Sequence, residues 1–115
     1  MRILLLTVAF LAAFVTPAEA GAVHVVTVTP QGYQPLELQI KVGDRVKWVF
    51  KGPGVQNVRK GLDPARPCKA TGQPNSGPRE PGQSYTHRFT RSGRVTVFDE
   101  VTGCREELIG TIHVD

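Results

Sequence analysis

The sequence has 115 residues, of which 40% are hydrophobic and 21% are charged, and its formal net charge is +4. This length allows one small domain, near the lower end of what can bury a self-sufficient hydrophobic core. The modest positive charge favours acidic partners through steering rather than specificity. Since no basic helix or ladder of aromatic residues accompanies the charge, a nucleic-acid-binding protein is excluded from the leading hypotheses.

The first segment of the chain has the layout of a secretory signal peptide. One basic residue, Arg2, precedes an apolar run from Ile3 to Val15, and small residues end the segment at Ala18-Glu19-Ala20. The apolar run is shorter than the roughly 20 residues of a membrane-spanning helix. We therefore predict a signal peptide over residues 1–20 and a mature domain over residues 21–115. The expected location is periplasmic or secreted, with no membrane span after cleavage.

Cys68 and Cys104 are the two cysteines of the chain. An even pair in a small exported domain is typical of a disulfide, which we predict here. Closing a loop of this length stabilises the fold by about 4 kcal/mol in the chain-entropy model. The alternative is that the two thiols serve as metal ligands.

Short segments rich in β-branched residues, with turn signals between them, predict an all-β fold without helices. The segment Leu36–Val42 alternates apolar and polar residues and is predicted to be a half-buried strand of an antiparallel sheet. The proline-rich stretch Arg59–Gly82 is expected to be a long irregular loop. The predicted strands are Val23–Thr29, Leu36–Val42, Arg45–Phe50, Val55–Val58, Ser84–Thr90, Arg94–Phe98 and Ile109–Val114.

Two of these segments place aromatic residues on one face. Val46, Trp48 and Phe50 alternate along one strand and are expected to supply much of the core, because buried aromatic side chains remove large areas from water. In the segment Ser84–Thr90, His87 shares the apolar side with aromatic neighbours. A histidine in that position could reach a metal ion, but it is more often a buried, hydrogen-bonded side chain.

Several motifs, taken in order, resemble those of the cupredoxin family, which includes plastocyanin, azurin, pseudoazurin and the plant phytocyanins. Gly32–Trp48 is similar to the family's second and third strands, and Asn57-Val58 resembles the pair that follows its first histidine ligand. Pro81–Tyr85 resembles the start of a later strand, and Ile109–Ile112 the family's closing x-Gly-Thr-Ile. The resemblance implies a cupredoxin-like Greek-key β-sandwich of about seven strands and, at one end, a copper site.

The copper-ligand positions that the resemblance implies carry other residues in this chain. A type 1 copper site needs two imidazoles, a thiolate and a weak axial donor. The first histidine position is Gln56. Azurin-like spacing puts the cysteine, the second histidine and the methionine at Asp99, Cys104 and Leu108, whereas pseudoazurin-like spacing puts them at Glu100, Gly103 and Leu108. Neither alignment restores a His-Cys-His set.

The phytocyanins also carry a disulfide between the last loop and a preceding long loop. Thr102-Gly103-Cys104 resembles their Gly-His-Cys motif without its histidine, and Cys68 lies in the matching long loop. The resemblance therefore implies the same Cys68–Cys104 pairing that the exported character of the chain predicts. Members of the plant family that have lost copper ligands keep the sandwich and the disulfide.

The leading hypothesis is an exported, non-catalytic binding or accessory module with no cofactor, in which the loops Gly52–Val58 and Asp99–Leu108 contact a protein partner. The charged residues of this end suit such a contact: Asp99, Glu100, Glu106, Glu107, Arg59, Lys60 and Arg105. The alternative is a copper-binding or electron-transfer protein with an atypical ligand set drawn from Gln56, His87, Asp99 and a reduced Cys104. The sequence contains no nucleophile–base motif, paired-histidine motif or phosphate loop, so we do not predict an enzyme.

Overall fold

A computed structural model describes residues 21–115 of the chain. The predicted signal peptide, residues 1–20, lies outside the described residues. The described part contains nine β-strands and one short 3₁₀ helix, Glu106–Leu108. The strands are β1 (Val23–Thr29), β2 (Gly32–Gln34), β3 (Glu37–Ile40), β4 (Arg45–Phe50), β5 (Arg59–Asp63), β6 (Arg66–Asn75), β7 (Ser84–Arg88), β8 (Gly93–Phe98) and β9 (Gly110–Val114).

The strands form two sheets, which confirms the predicted all-β sandwich. One sheet has four strands in the order β2-β1-β4-β7, and the other has five in the order β3-β9-β8-β5-β6. Strand β4 lies beside β1 in parallel and beside β7 in antiparallel orientation. The copper loop of the family corresponds to the connection between β8 and β9, which are antiparallel neighbours in the middle of the larger sheet.

The core lies between the two sheets, as the alternation of β4 predicts. Val46, Trp48 and Phe50 are 0%, 1% and 1% exposed, so the inward face of β4 is fully removed from water. Trp48 stacks on Tyr85 of β7 with ring centroids 5.8 Å apart. Buried side chains of the opposite sheet, including Val97 and Ile112, complete the cluster. The chain therefore has a single aromatic-centred core with both ends of β4 leading into loops.

The prediction of a long irregular loop over Arg59–Gly82 was wrong. Most of this stretch is a hairpin of β5 and β6, with register shifts along the pair. The prolines concealed the strands, but Pro67 and Pro74 lie on β6, which pairs only with β5 and forms the edge of the sheet. A proline is tolerated on an edge strand because its missing N–H can face away from the neighbouring strand. The hairpin and the short strand β2 add three strands, and the predicted strand Val55–Val58 is not formed, so about seven predicted strands become nine.

Two other local predictions differ from the structure. Strand β3 covers Glu37–Ile40 and pairs in parallel with β9, rather than lying in an antiparallel sheet. Alternation reports which face of a strand is buried but not the direction of its neighbour, and this accounts for the error. The segment Val55–Val58 is not a strand, although Gln56 makes an isolated bridge with Arg79.

The start of β4 is held by a buried aspartate in the turn that precedes it. One carboxylate oxygen of Asp44 accepts a hydrogen bond from the backbone N–H of Ala22 at 2.9 Å. The other contacts the backbone N–H of Lys41 at 3.0 Å and the Nε2 atom of His24 at 2.9 Å. Asp44 thus ties the start of the described chain to the turn between β3 and β4. This turn lies at the end of the sandwich opposite the connection between β8 and β9.

No helix within residues 21–115 is both long and apolar enough to cross a membrane.

Candidate functional site

Two chain segments meet at the end of the sandwich where β4 and β8 finish. The first, residues 52–58, follows β4, and the second, residues 99–108, joins β8 to β9. The backbone of Gln56 exchanges two hydrogen bonds with that of Arg79, at 3.1 and 2.8 Å. This bridge holds Gln56 in the interior, where its side chain is only 3% exposed. We refer to the two segments together as the loop end.

Asp99 is the principal hydrogen-bond acceptor of the loop end. Its Oδ1 atom accepts hydrogen bonds from the backbone N–H groups of Asn57 at 3.2 Å, Val101 at 2.9 Å and Thr102 at 3.3 Å. Its Oδ2 atom accepts one from Nε2 of Gln56 at 3.3 Å. A carboxylate that receives several N–H donors replaces the backbone partners that a loop lacks. Asp99 therefore joins the two segments and also shapes the first turn of the second.

Gln56 lies beside Asp99, at the position that corresponds to the family's first histidine. Its Nε2 atom also donates to the backbone carbonyl oxygen of Thr29 at 2.7 Å. Both partners of Nε2 are acceptors, and this fixes which end of the amide is the nitrogen. The Oε1 atom is buried and has no hydrogen-bond partner among the described residues. One strong acceptor of the loop end is therefore left free.

Asn57 makes a reciprocal pair with Glu100. Its Oδ1 atom accepts from the backbone N–H of Glu100 at 2.7 Å, and its Nδ2 atom donates to Oε1 of Glu100 at 3.1 Å. The hydroxyl of Tyr33 donates to the carbonyl oxygen of Asn57 at 2.9 Å. Burial, and secondarily the nearby charge of Asp99, raises the pKa of Tyr33 well above its ordinary value. Tyr33 therefore keeps its proton at physiological pH and remains a donor.

Leu108 closes the loop end against the turn between β1 and β2. A Cβ atom placed on Gly32, whose φ is +113°, would lie 3.1 Å from Cδ2 of Leu108. Glycine is thus required there both by the backbone conformation and by the packing of the leucine. The cavity beneath has a volume of about 10 Å³, which is about the space of one water molecule. Its lining includes Tyr33, Gln56, Asp99, Gly103, Arg105 and Leu108.

Cys104 is bonded to Cys68, as predicted, with the two Cα atoms 5.8 Å apart. The bond joins the loop end to β6, the edge strand of the larger sheet. Both neighbours of Cys104 in the sequence line the cavity, but Cys104 itself does not. The sulfur is therefore committed to the disulfide and is not available as a thiolate in this structure.

The three histidines of the chain lie away from the loop end. His24 contacts Asp44 at the opposite end of β4, and His113 of β9 contacts Glu37 of β3 at 3.3 Å. The structure does not bring His87 to the cavity, because His87 pairs with Val46 near the start of β4 and its ring packs edge-on against Phe89. Partial burial lowers the pKa of His87, since an apolar setting disfavours the imidazolium form.

The predicted ligand positions thus come together only in part. Gln56, Asp99 and Leu108 surround one small cavity. The other candidates have other partners: Glu100 is hydrogen-bonded to Asn57, Cys104 is disulfide-bonded to Cys68, and the ring of His87 packs against Phe89. The donors that remain are an amide oxygen and a carboxylate, without an imidazole or a thiolate. This set does not fit a type 1 copper site. No group of three or more His, Cys, Asp or Glu side chains within residues 21–115 is arranged to hold a metal ion.

Sequence reasoning missed the residues that organise this end. Tyr33 was assigned no role in the site, and Asn57 served only as part of the family resemblance, yet both belong to the hydrogen-bond network around Asp99. Thr29 enters it through its backbone carbonyl group, which no side-chain pattern could indicate. The one available signal was Asn57 itself, since an Asn beside a loop often bonds to backbone groups.

Comparison with known proteins identifies structures of similar fold. No protein-family model and no curated protein sequence matches the chain. The structure is similar to a purple cupredoxin from Nitrosopumilus maritimus, with 21% sequence identity and a TM-score of 0.69, over 80% of this chain and 99% of that one. It is also similar to an oxidised amicyanin variant, with 23% identity and a TM-score of 0.63, over 90% and 88% of the two chains.

A third similar structure is the Cu(I) form of another amicyanin variant, with 22% identity and a TM-score of 0.63, over 81% of this chain and 82% of that one. Identities this low carry the fold and not the activity. The two-sheet sandwich, in which residues 99–108 join β8 to β9, therefore has the cupredoxin fold.

Proposed function

We propose that this protein is an exported, non-catalytic binding or accessory module of cupredoxin fold, which lacks a type 1 copper centre and contacts a protein partner through its loop end. One observation carries the proposal: Gln56 and Asp99, at two of the positions where the family resemblance implies copper ligands, are hydrogen-bonded to each other. The bond from Cys104 to Cys68 supports it, because it removes the remaining thiolate of this end.

The same network makes the loop end a preorganised surface. Asp99 binds three backbone N–H groups, and the disulfide anchors the loop to β6, so little conformational entropy remains to be lost on binding. The rim carries exposed charges of both signs, among them Arg105, Glu106 and Glu107. A polar rim around a rigid centre is the usual composition of a protein–protein interface.

The hydrogen bonds of the histidines support a non-catalytic role. Within residues 21–115, the side-chain contacts of His24 and His113 go to the carboxylates of Asp44 and Glu37, and neither reaches a hydroxyl or thiol. A general base must lie within hydrogen-bond distance of its nucleophile or substrate proton. We therefore do not propose a hydrolytic or acyl-transfer reaction for this chain.

A copper titration of residues 21–115, followed by visible absorption, tests the proposal when it is combined with a free-thiol assay without reductant. We expect no free thiol and no intense thiolate-to-copper band. The positive control is a quintuple variant: Gln56→His, Asp99→Cys, Cys104→His, Leu108→Met and Cys68→Ala. It supplies a His-Cys-His-Met set at the azurin-like positions and should show the band if the loop end keeps its geometry.

Stoichiometric copper binding by the unmodified protein, with an intense band, would overturn the proposal. A free Cys104 would do the same, because it would restore the soft donor that the disulfide removes.

The partner contact is tested separately with a photo-crosslinking residue at Val101, which is 47% exposed in the loop end. The matched control carries the same residue at Leu36, which is 39% exposed before β3. We expect one protein to be captured at Val101 but not at Leu36, and the capture to be lost when Glu106 and Glu107 are both changed to lysine. Equal capture at both positions would count against the loop end as the contact surface.

One observation favours a second candidate function, the binding of a metal ion of a different kind. The buried Oε1 atom of Gln56 lacks a partner among the described residues, and the carboxylate of Asp99 lies beside the same amide. Two oxygen donors suit a hard cation better than copper. Metal binding without an intense band, abolished by Asp99→Asn and unaffected by Glu37→Gln, would favour this function over a metal-free module.

A further inference from the structure

The outward face of the four-stranded sheet carries a group of cations at one end. Side chains of β4 alternate, so that Val46, Trp48 and Phe50 point into the core while Arg45, Lys47 and Val49 point outward. Arg45 pairs with Arg88 of β7, and Lys47 pairs with Thr86, one row further along. Arg45, Lys47 and Arg88 therefore occupy neighbouring positions on one flat surface.

These three cations lack a counter-charge on their own sheet. None of the strands β1, β2, β4 and β7 contains an aspartate or a glutamate. No ion pair found within residues 21–115 includes Arg45, Lys47 or Arg88. The nearest acid in the sequence, Asp44, is already bonded to Ala22, Lys41 and His24. The three cations therefore have no ion-pair partner among the described residues.

The arrangement of the two arginines costs stability by itself. Side chains directly opposite on antiparallel strands have Cβ atoms about 5 Å apart, and like charges there destabilise the pair. Arg88 donates to the carbonyl oxygen of Gly43 at 2.7 Å, but Nε of Arg45 is buried and has no partner among the described residues. A carboxylate lying between the exposed ends of the two guanidinium groups would relieve the repulsion.

Aliphatic side chains border these cations on β1. Val23 pairs with Arg45 and Val25 with Lys47, and the two valines are 48% and 55% exposed. The surface formed by Val23, Val25, Arg45, Lys47 and Arg88, which we call the basic sheet face, thus combines apolar area with fixed positive charge. Arginine set beside aliphatic side chains is a composition found at protein interfaces rather than on surfaces that bind only free ions.

We propose that the basic sheet face is a docking surface for an acidic protein segment, whose carboxylates lie across Arg45 and Arg88 while its apolar groups contact Val23 and Val25. The complementary charge argues for this occupant, and the planar fork of arginine favours carboxylates. The proposal does not depend on the loop end, which lies beyond the other terminus of β4 and carries most of its charge as Asp99, Glu100, Glu106 and Glu107.

The test uses hexaglutamate as the acidic peptide and hexaglutamine as its uncharged counterpart, added to ¹⁵N-labelled residues 21–115 at low ionic strength. We expect hexaglutamate, but not hexaglutamine, to shift the amide signals of Arg45, Lys47, Thr86 and Arg88. The signals of the loop end should shift less. The double variant Lys47→Gln/Arg88→Gln should bind about tenfold more weakly, since it removes two charge-assisted contacts.

The control variant Lys69→Gln removes an exposed charge from β6 and should leave the affinity within about twofold. Hexaglutamate should also raise the melting temperature of the wild type more than that of the double variant, because the variant binds the peptide about tenfold more weakly. The melting temperature of the variant without peptide reports any loss of fold, including the loss of the bond from Arg88 to Gly43, so the change on adding peptide separates a lost site from a lost fold.

Three results would overturn the proposal. The first is binding of neither peptide. The second is equal weakening by Lys69→Gln and by the double variant, which would indicate attraction by net charge alone. The third is a shift of the amide signals of the basic sheet face with phosphatidylglycerol vesicles, but not with phosphatidylcholine vesicles or with hexaglutamate. That result would assign the face to an anionic membrane instead.

Discussion

Each end of β4 is organised by an aspartate that accepts several hydrogen bonds, and the two ends differ in what remains unsatisfied. At the start of the strand, Asp44 binds two backbone N–H groups and the ring of His24. At the loop end, Asp99 binds three backbone N–H groups and the amide of Gln56, whose own oxygen has no partner among the described residues. The bonds of Asp44 leave no group of that network open, although Nε of the adjacent Arg45 is buried without a partner among the described residues; the network of Asp99 itself retains a free acceptor beside a small cavity.

This difference bears on whether the loop end serves only the stability of the fold. A buried acceptor without a partner costs free energy, so networks that serve stability alone tend to satisfy every group. The loop end departs from that rule at Gln56, which is the position where the family's copper site would have a ligand. Substitution of Asp44 and of Asp99 tests whether both aspartates contribute to the free energy of unfolding in the same way.

The largest effect is expected at the disulfide. The double variant Cys68→Ala/Cys104→Ala should lower the free energy of unfolding by about 4 kcal/mol, because the unfolded chain regains the entropy that the closed loop had removed. Urea denaturation measures this change. Native-state hydrogen exchange should show faster local opening at Val101 and Thr102 than at Lys41 in the variant. Equal acceleration at both ends would mean that the disulfide supports the whole fold and not the loop end.

Removing the carboxylate of Asp99 should have the next largest effect. Asp99→Ala leaves the N–H groups of Asn57 and Val101 without their acceptor and should cost about 1–3 kcal/mol of unfolding free energy. Asp99→Asn keeps one acceptor oxygen and should cost less than half as much. Chemical denaturation at neutral pH compares the two. A change below the error of the measurement in Asp99→Ala would show that water replaces the carboxylate and that the network does not hold the loop.

Asp44 should make the free energy of unfolding depend on pH in the acidic range. The backbone N–H groups of Ala22 and Lys41, and then the bond from His24, lower the pKa of Asp44 from 3.8 to about 2. Because the folded pKa is below the unfolded one, the stabilisation is complete above about pH 4 and is lost as the pH falls towards 2. Unfolding measured over this range should show a steeper loss in the wild type than in Asp44→Asn. A carboxyl carbon titration by NMR gives the midpoint directly, and a midpoint near 3.8 would contradict the network.

The smallest effect is expected from Leu108→Met. The two side chains have similar volumes, so the variant should lose less than about 1.5 kcal/mol of unfolding free energy. Leu108→Ala is the comparison, and it should lose more because it removes the contact with Gly32 and enlarges the cavity. Equal losses in the two variants would mean that the leucine does not seal the loop end. Thermal unfolding of both variants, in the same buffer, is sufficient for this measurement.

The fold was more accessible to sequence reasoning than the site was. Alternation identified β4 and β7, because apolar and polar residues face opposite sides of a half-buried strand, and β-branched composition between turn signals identified β1 and β8. It failed for β5 and β6, where prolines and glycines on an edge strand imitate a loop. It also could not give the parallel pairing of β3 with β9, since the side-chain pattern is the same whichever way the neighbouring strand runs.

At the site, the sequence identified positions but not contacts. The family resemblance indicated Gln56, next to Asn57-Val58, and its azurin-like spacing indicated Asp99 and Leu108; the structure places all three around one cavity. The bonds from Asp99 to backbone N–H groups and from Gln56 to the carbonyl of Thr29 depend on loop geometry, which side-chain patterns do not encode. The basic sheet face was missed for a related reason, because Arg88 joins Arg45 only through the pairing of β7 with β4.

The Cys68–Cys104 bond has a consequence for how this chain can change. Any single substitution that turned Cys104 into a metal-binding histidine would leave Cys68 as an unpaired thiol on an exposed stretch of β6. An exposed free thiol is open to oxidation and to mixed disulfides with other proteins. On the azurin-like spacing, gaining the second histidine therefore means giving up the covalent anchor of the loop, whereas the pseudoazurin-like spacing puts that histidine at Gly103 and leaves the Cys68–Cys104 bond in place.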